Sequence, residues 1–115
     1  MRTLMEIPAA PLRSALASDG WRIVAVDRTL AWWCRERWHL QSDWSPRNRE
    51  AFLSFLLDPE HTLEHPKVWA VKASPTPASQ WQSGAGEHTL SFGRGWRSHI
   101  PEMIGYLNGL RNEHP

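Results

Sequence analysis

A metal-like spacing occurs at residues 61–65, HTLEH. It fits the pattern in which two histidines one helical turn apart hold zinc and the glutamate between them acts as general base. That chemistry needs a stable helix. Pro59 precedes the segment and Pro66 follows it at once, so no helix longer than about two turns fits. No third ligand is marked elsewhere in the chain, and the segment reads as a polar loop. Cys34, the only cysteine, could act as a nucleophile beside one of the six histidines. Set between Trp33 and Arg35 on an expected strand, it reads instead as a small buried hydrophobe.

Two glycine-containing stretches invite comparison with phosphate-binding loops. SGAGE (83–87) lacks the lysine and hydroxyl of a P-loop and opens no helix. GRGWRSH (93–99) has more to offer. Gly93 and Gly95 end a strand, Ser98 opens a helix, and Arg94, Arg97 and the first N–H groups of that helix could converge on an anion. His88 or His99 would then supply an acid-base group for an anionic substrate. The simpler account is that two glycines let the chain turn sharply from strand to helix, where positive φ is often required.

The third chemical resource is aromatic. Eight tryptophans stand among 115 residues, four of them in residues 30–44, LAWWCRERWHLQSDW. An exposed indole beside arginine can stack on a ligand or take part in cation–π contacts, whereas a buried one only fills a core. Successive strand residues point to opposite faces. The more apolar set Trp32, Cys34, Glu36, Trp38 and Leu40 is therefore expected to face the helices. That leaves Trp33, Arg35 and Arg37 as a cationic-aromatic row on the open face, with Trp44 as a staple before the next helix.

These residues need a scaffold. Pro11, the spacing of Leu12, Ala15 and Leu16, and Gly20 predict a helix over 10–18. The alternating WRIVAV predicts a strand over 21–27, pairing across a short turn with a second over 32–41. Ser45-Pro46 and the stripe Phe52, Phe55, Leu56 predict a helix over 46–57, ended by Asp58-Pro59. Strands follow at 68–73 and 88–93, joined by a flexible loop over 74–87 that carries Trp81. A last helix begins at Ser98 and carries Ile100, Met103, Ile104, Leu107 and Leu110. The order α-β-β-α-β-β-α predicts one small α+β domain, a four-stranded antiparallel sheet with helices packed on one face.

Composition narrows the function. Net charge is +1. Residues 1–57 hold eight Lys/Arg against six Asp/Glu and residues 58–115 five against six, so the cationic excess that nucleic-acid binding draws on is missing. No apolar stretch approaches the roughly 20 residues of a membrane span, and the first residues lack a leader-like apolar region. A cytoplasmic protein is expected, and no motif calls for a cofactor. The expected class is a small non-enzymatic interaction domain whose partner is a protein, including a second copy of itself. Its contact residues are expected among Trp33, Arg35, Arg37, Trp81, Arg94, Trp96 and Arg97. The alternatives are stacking on single-stranded nucleic acid and binding or turnover of a small anion at residues 93–99.

Overall fold

The computed structural model describes residues 9–28, 33–42, 50–57, 68–76 and 87–112. Helix α1 (Ala9–Ser18) leads into strands β1 (Trp21–Asp27), β2 (Cys34–Ser42), β3 (Glu50–Leu57), β4 (Val68–Ser74) and β5 (His88–Ser91). A 3-10 turn (Trp96–His99) then runs into helix α2 (Ile100–Asn112). The strands lie in the order β1-β2-β3-β4-β5, every neighbouring pair antiparallel. The domain is α+β as expected, but the described residues form a sheet of five strands rather than four.

The additional strand is β3, where a helix was expected over 46–57. The stripe Phe52, Phe55, Leu56 suits a helix, yet it is contained in the nearly unbroken apolar run AFLSFLL. A strand in mid-sheet is covered on both faces and calls for such a run. Ala51, Leu53 and Phe55 enter one core, while Ser54 and Leu56 are buried on the other face. Ser45 and Pro46, which suggested the helix start, lie outside the described residues.

Leu12 and Leu16 of α1 and Met103 and Leu107 of α2 share one buried cluster with Trp21, Trp38, Leu40, Leu53, Phe55 and Val71, so both helices cover the same sheet face. Asn108 fastens them together. Its Oδ1 accepts from Trp21 Nε1 at 3.3 Å, and its Nδ2 donates to Asp19 in the turn between α1 and β1. Gly20 in that turn and Gly95 before the 3-10 turn are the two described glycines at positive φ, 85° and 73°. Ser98 does not open a helix as expected. It sits inside the 3-10 turn and donates to Gly95 O at 2.8 Å, and α2 starts at Ile100.

Register shifts interrupt three of the ladders. Val24 is extra in β1 between Ile23 and Ala25, Arg35 in β2 between Cys34 and Glu36, and Trp69 in β4, where Leu56 and Leu57 face Ala70 and Val68. Each such bulge reverses the facing of the residues beyond it.

Candidate functional site

The bulge at Arg35 decides the fate of the expected cationic-aromatic row. Glu36, Trp38 and Leu40 are buried on the helix-covered side as expected. Cys34 is not with them. Beyond the bulge it joins Trp33, Leu56, Ala70 and Trp69 in a second, smaller cluster. Trp33 is only 7% exposed, which corrects its placement on an open face. Arg35 is exposed, while Arg37 is half-buried and donates from Nε to Ser54 Oγ at 3.0 Å. The three residues therefore do not form one accessible platform. Trp32, Trp44 and Trp81 lie outside the described residues, as do residues 61–65 and most of the expected loop over 74–87.

At residues 93–99, Arg94 and Arg97 are exposed and Trp96 is half-buried. Arg97 lies over the Trp96 ring, 5.6 Å from its centroid. Trp96 meets Phe92 edge-on at 5.0 Å, Phe92 stacks on Phe55 at 6.4 Å, and Phe55 meets Trp38 at 4.7 Å. Arg13 closes the far end, 4.9 Å from the Trp38 centroid. Trp96 is thus the rim of an aromatic ladder that runs through the core. The left-handed φ of Gly95 and the engaged Ser98 hydroxyl account for this turn as a chain reversal.

Several other chemistry-bearing side chains among the described residues are held in structural contacts. His99 Nδ1 is 3.2 Å from Glu102 Oε2, and His88 stacks on Tyr106 at 5.6 Å. Glu36 accepts from Trp38 Nε1 at 2.5 Å and from Arg28 Nε at 3.1 Å. Burial pushes the Cys34 thiol up to about 11, against a lowering by the Arg37 charge, and its Sγ donates to Glu36 O at 3.4 Å. A thiol so protonated is a poor nucleophile near neutrality. Among the described residues no group of three or more His, Cys, Asp and Glu is placed to hold a metal ion.

A row that sequence reasoning missed crosses the sheet on the face away from the helices. Asp27 faces Arg37, Arg37 faces Ser54, Ser54 faces Lys72, and Lys72 faces Thr89. Ser54 is fully buried and Lys72 is 1% exposed, with Nζ 3.4 Å from Glu87 Oε1. The signal was present as one serine inside AFLSFLL and one lysine inside VWAVKAS. A one-residue slip of β3 or β4 would drive these groups into the apolar core, so the row holds the sheet in register.

An accessible surface lies at the edge of the sheet. Among the described residues β1 is an outer strand, and its bulged Val24 is 43% exposed. Against it α1 leaves a groove of about 620 Å³ lined by Arg13, Leu16, Ala17, Trp21, Arg22, Ile23 and Val24. Its lining mixes apolar side chains with the two arginines. No protein-family model, curated protein or solved structure matches the chain.

Proposed function

We propose that the protein is a small non-enzymatic interaction domain that receives a protein partner along the β1 edge and the groove beside α1. The observation that carries this reading is Val24, a large apolar side chain exposed at a bulge in the middle of a strand that is outermost among the described residues, next to a groove lined by apolar side chains and two arginines. An outer strand offers unpaired N–H and C=O groups, and adding an extended segment to it is a recurring mode of protein recognition. The described nucleophiles and acid-base groups support a binding role, since Cys34, Glu36, Lys72, Ser98 and His99 are each engaged in contacts within the fold. The near-neutral charge favours a protein over a polyanion.

The test is photo-crosslinking in the native cell from p-benzoyl-phenylalanine placed at position 24, with the exposed Ser91 on the opposite edge strand as control position. A discrete protein adduct from position 24 and none from position 91 is expected. Absence of any adduct at position 24, or identical adducts from both edges, overturns the edge as an interaction site.

A further inference from the structure

We propose that the partner at this edge is a second copy of the same chain, added antiparallel along β1 so that Arg22 of each copy faces Asp27 of the other. The inference rests on the edge reading above and adds the identity of the occupant. The β1 sequence, WRIVAVD, is self-complementary when read against itself in the opposite direction. With Arg22 opposite Asp27, Ile23 falls opposite Val26 and Val24 opposite Ala25, and each pair occurs twice about a two-fold axis.

The facing of the side chains agrees with this register. Arg22 pairs with Gln41 and Asp27 with Arg37, positions an even number of residues apart on β2, so both charges stand on the sheet face away from the helices. Ile23 pairs with Leu40 and Val26 with Trp38, which puts both apolar residues on the helix-covered face, where they pack half-buried against the main core. Antiparallel partners share a face, so charge would meet opposite charge on one side and aliphatic would meet aliphatic on the other. The aliphatic side borders the groove under α1, whose open flank a second copy would close. Parallel addition would instead set Arg22 against Arg22.

Bulges and charges at an outer strand can also serve to prevent pairing. A guard of that kind places charge in the middle of the strand. Here the four central residues Ile23, Val24, Ala25 and Val26 carry none, and the flanking charges are of opposite sign. Both copies carry the bulge at Val24, so the two strands bend alike.

The experiment is sedimentation equilibrium over a wide concentration range on the intact chain and on Arg22→Asp, Asp27→Arg, the double exchange and Val24→Lys. All three positions are exposed, and circular dichroism confirms that each variant is folded. The wild type should dimerise reversibly. Each single reversal should weaken self-association by roughly tenfold or more, because two like-charge pairs replace two opposite ones. An equimolar mixture of Arg22→Asp and Asp27→Arg should form the heterodimer, in which both pairs are again opposite, and the double exchange should recover wild-type association. Val24→Lys should abolish it. A strictly monomeric wild type, or a mixture no stronger than its components, overturns the proposal. So does crosslinking from position 24 to a different protein, an outcome that leaves the edge reading standing, whereas no crosslink at all removes both.

Discussion

The ion pair between Lys72 and Glu87 gives the sharpest energetic prediction. The ammonium is 3.4 Å from the carboxylate, and the lysine side chain is 1% exposed against 17% for the glutamate. At an effective dielectric of about 20 the direct attraction over that distance is of order 5 kcal/mol, much of it offset by the desolvation of both groups. The asymmetry of burial decides which partner matters more. Glu87→Gln removes the anion from beside an ammonium that bulk water does not reach, and should cost about 3 kcal/mol. Lys72→Met keeps the aliphatic stem within the sheet and leaves behind a carboxylate that can still find water, so it should cost only about 1 kcal/mol. The double variant should resemble Lys72→Met, giving a coupling energy of roughly 2 to 3 kcal/mol in a double-mutant cycle. Urea unfolding of the four proteins measures these values, and Glu87→Gln should lower Tm by roughly 10 °C in a domain of this size. Strictly additive single costs, or a Glu87→Gln loss no larger than that of Lys72→Met, would refute the reasoning.

Gly95→Ala should cost about 1 to 2 kcal/mol from its φ of 73° alone, since nothing lies within 4 Å of an added Cβ, while Gly93→Ala, equally open and not at positive φ, should be close to neutral in the same thermal melts. Asn108→Ala should cost about 1 to 3 kcal/mol and shift the Trp21 indole N–H resonance, because it removes the Asn108 oxygen from that N–H and releases α2 from the α1–β1 turn. The Cys34 thiol, pushed up from 9.0 to about 11, makes stability fall at alkaline pH: the contribution is complete below pH 9 and is lost as pH rises towards 11. Cys34→Ala should flatten that part of the pH–stability curve, and in the native protein Ellman's reagent should react with the thiol slowly at pH 8 and rapidly after unfolding.

Much of the architecture was legible from local patterns. The alternation in WRIVAV, the proline and glycine around α1 and the continuous apolar stripe of α2 each reflect a single covered face, and one period suffices to read them. Strand β3 was not legible in that way. A strand covered on both faces loses its alternation, and the phenylalanines of AFLSFLL fall at helical spacing as well. Trp33 was misplaced for a different reason: alternation predicts facing only between bulges, and nothing in CRER marks Arg35 as the extra residue. The buried row through Ser54 and Lys72 was hidden by the opposite error, since isolated polar residues in apolar runs read as solvent-facing until strands on both sides are known. The β1 edge could be inferred from sequence only together with the strand order, which local patterns do not fix.

Asn108 has a consequence for how the chain is made. The sheet is a meander, so each strand finds its partner among residues synthesised just before it, and the five can assemble in the order of translation. Sealing the core cannot proceed that way. Trp21 and Asp19 wait for an amide 87 and 89 residues further on, and Leu12 and Leu16 wait for Met103 and Leu107. Until α2 has left the ribosome, the nascent chain carries a sheet with much of one oily face bare. That is the interval in which holdase chaperones, or a premature neighbour at the open edge, would find it.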